Sequence, residues 1–157
     1  MIEGDASEPE TVSPSAGTAR LLGFAGLAPF IALSLWLYGI APDHEWRAGT
    51  ILLLLAYGAV VLSFLGGARW GIALSGQDHD ARLDFSLAML PPLIGWIAIF
   101  IPVPYAFAVL AVAFSAQGAW DTLAVHAEKA PGWYGELRTI LTIIVVLTMI
   151  VAFIATS

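Results

Sequence analysis

The sequence predicts an all-α fold, a polytopic membrane protein built as a bundle of five transmembrane helices with a broken third helix. Its 157 residues are 59% hydrophobic and 11% charged, far from the composition of soluble domains. Residues 48–67 carry no charge, which is long enough to cross a hydrocarbon core of about 30 Å. Four further apolar segments are separated by polar or proline-containing loops.

The first segment, residues 1–19, is acidic and rich in Ser, Pro, Thr and Gly. This composition predicts a disordered cytoplasmic tail, because too little apolar surface is available to offset the entropy of ordering. Residues 20–157 then form one membrane domain. A secretory signal or mitochondrial presequence would be basic at its start, so the acidic tail favours a bacterial cytoplasmic (inner) membrane.

The first two predicted spans cover residues 21–40 and 48–74. Pro29 interrupts the first, because proline removes a helical N–H donor. Arg69 lies near the end of the second, where we expect a snorkelling cation that anchors the span at the interface.

Small side chains recur every four residues along the second span. We expect them to share one face that packs closely against another helix, since small residues let helix backbones approach. The positions are Ala59, Ser63, Gly67 and Gly71.

The three remaining predicted spans cover residues 85–101, 105–126 and 136–155. The third contains Pro91 and Pro92, which break the helical ladder. We interpret the break as a rigid kink, and the alternative is a broken helix that lines a binding site, as in transporters.

Five spans place the two chain ends on opposite sides of the membrane. Basic residues are concentrated on the N-terminal side, which predicts a cytoplasmic N-terminus and an outside C-terminus. The N-terminal side holds Arg20, Arg69, Arg82, Lys129 and Arg138, whereas the other side holds Arg47.

Asp121 is the most informative single residue. It follows Tyr105 by 16 residues, about 24 Å along a helix, which places its carboxylate inside the inner leaflet. A carboxylate there needs a partner or a wet cavity. Gln117 shares its helical face, and the cations nearest in depth are Arg69 and Arg138. We predict an ion pair between spans, and the alternatives are a ligand site formed by these four residues or simple interfacial exposure.

Other kinds of site have weak support. The absence of cysteine excludes disulfides and thiolate metal sites, and six scattered Lys and Arg residues argue against nucleic-acid binding. Asp78, His79 and Asp80 alternate in a short loop and cannot all converge on one ion, so we expect neither a metal nor a cofactor. We find no Ser-His, Ser-Lys or paired intramembrane carboxylates, and expect no enzyme.

Tyr57 and Trp96 are the aromatic residues nearest the middle of the membrane. Packing within the core is our main interpretation of both. The alternative is that they face each other around a flat lipophilic ligand such as a quinone.

Two motifs, SFLGGARWG at residues 63–71 and PGWYGELRTILT at residues 131–142, lie before and after the proline pair. In this order they resemble the uncharacterised membrane-protein family that includes transmembrane protein 69. The resemblance covers most of the chain after Leu21 and implies a five-helix membrane domain. It implies no activity, because none is established for the family.

We therefore expect a non-catalytic accessory, assembly or scaffold component of a membrane complex. Its partners would be the lipid bilayer and another membrane protein or a second copy of this chain. The alternative is binding or transport of a small amphiphile, an anionic lipid or a quinone, at an inner-leaflet site around Asp121 and Arg69. Five spans leave little volume for an alternating-access cavity, which favours the first interpretation.

The predicted orientation can be tested with a reporter that is active only outside the cytoplasm. Fused to the C-terminus it should be active, because five spans start from a cytoplasmic N-terminus. The same reporter inserted in the loop after residue 75 should be inactive. Activity of the loop fusion, or silence of an expressed C-terminal fusion, would contradict the topology.

Overall fold

The computed structural model describes residues 14–75, 81–126 and 132–157. Across these ranges the protein is all-helical, with seven helices and no strand. In chain order they are α1 (Pro14–Ala25), α2 (Ala28–Gly39), α3 (Arg47–Ser75), α4 (Ala81–Ala88), α5 (Leu90–Ala98), α6 (Tyr105–His126) and α7 (Gly132–Thr156). Four stretches are long and apolar enough to cross a membrane, and they comprise α1 with α2, α3, α6 and α7.

The first predicted span is divided into two helices, α1 and α2, and the division lies near Pro29 as predicted. The proline lies in the first turn of α2, where the missing N–H removes no helical hydrogen bond. At the junction, Gly26 N donates to Leu22 O at 3.0 Å. The first helix begins at Pro14, inside the segment predicted as a disordered tail, and residues 1–13 of that tail lie outside the described residues.

The third predicted span is also two helices, which confirms the predicted break. α4 ends at Ala88, Met89 forms a turn, and α5 carries both prolines in its first turn. Pro91 and Pro92 therefore begin a new helix instead of bending a continuous one, because that position tolerates the missing N–H. With 8 and 9 residues, α4 and α5 are each too short to cross a membrane alone.

Together, α4 and α5 run antiparallel to α3. A Cβ on Gly95 of α5 would lie 2.9 Å from Ala59 Cα, and the rings of Trp70 and Phe85 lie 4.9 Å apart at the other end. Later residues of α4–α5 thus lie beside earlier residues of α3. The broken segment therefore lies along α3 from the level of Trp70 to that of Ala59.

α6 and α7 complete the bundle, with α6 alongside α3 and α7 against both α6 and α2. The fourth predicted span, residues 105–126, coincides with α6, and α7 begins four residues before the predicted fifth span. The shared core is formed by fully buried side chains from α2, α3, α5, α6 and α7, among them Phe30, Leu54, Leu62, Ala98, Phe107, Leu110 and Met149. Large apolar side chains on the outside of the bundle are exposed, as expected where lipid covers them.

Arg47 links the ends of two helices by hydrogen bonds, a role that the sequence did not predict. Its Nη1 donates to the carbonyls of Ile40 at 3.2 Å and Leu37 at 3.5 Å, and its Nη2 donates to the carbonyl of Ala155. These carbonyls belong to the C-terminal ends of α2 and α7, which lack helical donors and attract a cation. One side chain therefore joins two helix ends that are far apart in sequence.

The predicted small-residue face of α3 does not pack as expected. Only Ala59 meets another helix, whereas a Cβ on Gly67 or Gly71 would meet nothing within 4 Å and Ser63 is exposed. The reason is geometric: at 3.6 residues per turn each step of four rotates by about 40°, so the four positions spiral around the helix. The close approach is at Gly66, seven residues after Ala59 and within about 20° of the same face.

Neighbouring glycines on α3 give a matched stability test. A Cβ on Gly66 would lie 2.6 Å from the Ala88 carbonyl oxygen and 2.8 Å from Pro92 Cδ, so Gly66→Ala forces α3 and α4 apart. We expect a loss of roughly 1–3 kcal/mol, measured as a lower melting temperature in detergent. Gly67→Ala adds the same methyl group in open space and should not lower it. Equal melting temperatures for the two variants would contradict this packing.

Candidate functional site

Asp121 lies on α6 and is almost completely buried, with 1% of its surface exposed. The Nε of Arg138, on α7, donates to its Oδ2 at 2.8 Å. The two helices run antiparallel, which brings the last third of α6 level with the first third of α7. The predicted ion pair between spans is therefore present, and Arg138 is the direct partner.

Two more residues approach the other carboxylate oxygen. Gln117, one turn earlier on α6, donates from Nε2 to Asp121 Oδ1 at 3.2 Å. Arg69 of α3 places its Nε 3.9 Å from the same oxygen, close enough for an ion pair but too far for a hydrogen bond. The structure thus brings together all four predicted site residues, from three helices.

Arg69 does not snorkel to the interface as expected. It is buried, with its Cζ 3.9 Å from the centroid of the Trp120 ring, a cation–π arrangement that partly replaces water. Trp70, the next residue, is exposed and packs against Phe85. The helix directs Arg69 inward and Trp70 outward because adjacent residues are about 100° apart.

The cluster of Asp121, Arg69, Arg138 and Gln117 is not internally satisfied. One carboxylate faces two guanidinium groups, so these side chains carry a net charge of +1. Arg69 Nη1 and Gln117 Oε1 are buried without a hydrogen-bond partner among the described residues. Unpaired buried groups of this kind are expensive, which makes the cluster a candidate site and not only a lock between helices.

A cavity of about 230 Å³ extends from the Arg138 side of the cluster, and we call it the α1–α3 cavity. Apart from Arg138, its wall is almost entirely apolar. The wall includes Leu22, Gly26, Phe30, Phe64, Phe114 and Leu141. Leu22 and Phe64 are exposed at its rim, so the cavity opens sideways toward lipid between α1 and α3.

A second cavity, of about 280 Å³, lies on the Gln117 side of the cluster, and we call it the α5–α6 cavity. It is bordered by the start of α5 and by α6, and Trp120 forms part of its wall. The sequence-predicted site is thus a charged centre between two apolar cavities. Neither the cavities nor the role of Trp120 could be read from the sequence, because both depend on how the helices are rotated against each other.

Tyr57 and Trp96 do not face each other, so the quinone slot predicted as an alternative is wrong at this position. The Tyr57 hydroxyl donates to the Gly26 carbonyl at 2.9 Å, and its ring packs against Phe30 at 4.8 Å. Trp96 is exposed and packs against Phe100 at 5.1 Å. Tyr57 is therefore a core residue that ties α3 to the α1–α2 junction.

Metal-binding side chains do not gather in the part of the chain that the structure describes, where no three His, Asp or Glu residues come together. Asp78, His79 and Asp80 lie outside the described residues. The polar contacts observed in the cluster are ion pairs and hydrogen bonds.

Residues 15–154 match the family described as Protein of unknown function (DUF3429). The chain belongs to this family. Similar relatives include Transmembrane protein 69 of Xenopus tropicalis, 31% identical over 147 residues that cover 88% of this chain and 54% of the relative. Transmembrane protein 69 of Mus musculus is 27% identical over 139 residues, 87% of this chain and 55% of the relative. The DUF3429 chain therefore spans about half the length of the curated relatives it matches.

A further match has a different name. A Lactose permease of Lactobacillus helveticus is 29% identical over 121 residues, which cover 74% of this chain and 18% of the permease. No solved structure matches the chain. The resemblance read from the two motifs is thus confirmed for the family that includes transmembrane protein 69.

The charge cluster predicts a specific pattern of rescue. Asp121→Asn leaves two guanidinium groups uncompensated and should lower thermal stability in detergent, by about 3–5 kcal/mol if the site is dry and by less if it is wet. Adding Arg138→Gln should recover more of this loss than adding Arg69→Gln, because Arg138 makes the 2.8 Å contact. Equal rescue by both, or an Asp121→Asn variant as stable as the parent, would contradict this pairing.

Proposed function

We propose that this DUF3429 protein is a non-catalytic protein of the bacterial inner membrane that binds an anionic amphiphile at Arg138 and Arg69. In this proposal the chain crosses the membrane five times, with its N-terminus in the cytoplasm and its C-terminus outside. The cluster around Asp121 then lies in the inner leaflet, and the α1–α3 cavity receives the apolar part of the ligand.

The course of α4 and α5 supports the fifth crossing. Together they cover residues 81–98, a path of about 27 Å if it were straight, which is close to the thickness of the hydrocarbon core. They run antiparallel to α3 and contact it at Phe85, near Pro92 and at Gly95. The excess of basic residues on the N-terminal side supports the orientation.

The observation that carries the ligand proposal is the uncompensated positive charge beside an apolar cavity. Arg138 uses Nε for Asp121, and the described residues accept no hydrogen bond from its two Nη groups. The planar N–H fork of a guanidinium matches a carboxylate or phosphate oxygen pair. An anionic head at this point would neutralise the cluster, while its chain follows the apolar wall toward the exposed rim.

Association with another membrane protein is the second candidate, as an accessory, assembly or scaffold component. It is supported by the exposed Ser63, Gly67 and Gly71, which leave a shallow strip on α3 that no helix of the described chain covers. The strip is suited to a close helix contact with a partner protein or a second copy. Transport has less support, because the similarity to the permease covers only 18% of that protein.

Lysophosphatidylglycerol and lysophosphatidylcholine of equal chain length test the ligand proposal, since they differ in head-group charge. We expect native mass spectrometry of the detergent-purified protein to show preferential binding of the anionic lipid. The double variant Asp121→Asn/Arg138→Gln removes the closest ion pair and the guanidinium that borders the cavity, and keeps Arg69 as the cation of the cluster. It should bind the anionic lipid about tenfold more weakly.

Arg82→Gln is the matched control, because Arg82 is an exposed cation on α4 outside the cluster. It should leave the preference for lysophosphatidylglycerol unchanged. Equal binding of the two lipids by the parent protein would refute anion recognition. A protein that co-purifies in fixed ratio, with no bound lipid, would favour the second candidate.

A further inference from the structure

The α5–α6 cavity differs in chemistry from the cavity that ends at Arg138. Its wall contains no charged side chain among the described residues. Leu62, Leu87, Leu90, Pro91, Ile94 and Trp120 supply most of the apolar surface. Gln117 is the one side chain in this wall that carries an amide, and it is 3% exposed.

The orientation of the Gln117 amide follows from its neighbour. Its Nε2 donates to Asp121 Oδ1 at 3.2 Å, and the reverse orientation would place an amide oxygen against a carboxylate oxygen. The Oε1 atom is therefore directed away from Asp121, and it accepts no hydrogen bond from the described residues although it is fully buried. This acceptor requires a donor, because an unsatisfied buried acceptor is destabilising.

The helix break lies in the same wall. Pro91 has no N–H and cannot donate to the carbonyl of Leu87, four residues earlier. Both residues border the cavity. The described wall lacks cations and offers the Gln117 acceptor, which suits a neutral group that donates a hydrogen bond and not an anion.

We propose that the α5–α6 cavity binds an uncharged amphiphile that carries a hydroxyl group. The hydroxyl donates to Gln117 Oε1, and the apolar body lies along Leu87, Leu90 and Ile94. At about 280 Å³ the cavity encloses only the head and the adjoining part of such a molecule. The rest extends past Leu90, which is exposed on the lipid-facing side.

The lining residues of this cavity differ from those of the α1–α3 cavity. Arg138 is absent from its wall, and Gln117 and Trp120 are absent from the wall of the α1–α3 cavity. Arg138→Gln alone removes the guanidinium that borders the α1–α3 cavity, whereas Asp121 remains in place to orient the Gln117 amide. This variant can therefore lose anion binding and keep the hydroxyl site, so failure of one proposal can be told from failure of the other.

The test uses a long-chain alcohol and the corresponding alkane, both carrying a diazirine at the same position in the chain. After irradiation of the purified full-length protein, mass spectrometry locates the adducts. We expect the alcohol to label the wall formed by Leu87, Leu90, Ile94 and Ala116, with saturation at increasing concentration. The alkane should label exposed residues around the bundle without saturation.

Two variants ask whether the labelling depends on the cavity. Gln117→Leu removes the acceptor and should weaken saturable labelling about tenfold. Ala116→Phe keeps Gln117 but fills the cavity, and should abolish labelling even if Gln117→Leu folds poorly. Ser115→Phe is the matched control, since Ser115 is exposed on the same helix and borders neither cavity.

Two results would overturn the proposal. Equal, non-saturable labelling by alcohol and alkane would show that the cavity is filled by bulk lipid without recognition. Saturable labelling that a folded Gln117→Leu variant retains in full would show that the orphan acceptor does not bind the hydroxyl.

Discussion

The ion pair between Asp121 and Arg138 constrains how α6 and α7 pack against each other. A carboxylate with 1% of its surface exposed is stable there only while a guanidinium stays within hydrogen-bond distance, which fixes the register of α7 against α6. Close packing reinforces that register one turn away, where Gly118 of α6 leaves just enough room for the side chain of Thr142. The pair and the glycine contact thus specify the same alignment, one through charge and the other through shape.

The ion pair between Asp121 and Arg138 does not neutralise the second buried cation, Arg69. Arg69 approaches Asp121 from α3 but reaches it only at 3.9 Å, beyond hydrogen-bond distance, whereas Arg138 and Gln117 both donate to the carboxylate. Its other stabilising contact is the Trp120 ring, a weaker replacement for water than a second carboxylate would be. A purely structural lock would need one cation. The additional cation is the reason to treat the cluster as a site.

Much of this arrangement could be predicted from the sequence. Hydropathy and proline positions gave the limits of α6, the break at Met89 and the interruption near Pro29. Counting residues along single helices also predicted Arg69 and Arg138 as the cations near Asp121, and both approach it. Each of these predictions follows from positions along one helix at a time. The predicted packing face of small residues on α3 was wrong, because each step of four residues adds a rotation that carries the later positions away from the contact. The role of Arg47 was missed because the carbonyls that it binds lie at the ends of two other helices.

The cavities show why the proline-containing breaks matter to the site. Gly26 and Leu27, at the α1–α2 junction, border the α1–α3 cavity, and Leu90 and Pro91, at the α4–α5 junction, border the other. A continuous helix in either place would pack side chains along the full length of α3. Each break instead starts a new helix beside one of the two cavities. Irregular backbone at membrane depth is tolerated where protein or a cavity surrounds it. The two breaks therefore lie at the cavities on either side of the charged cluster.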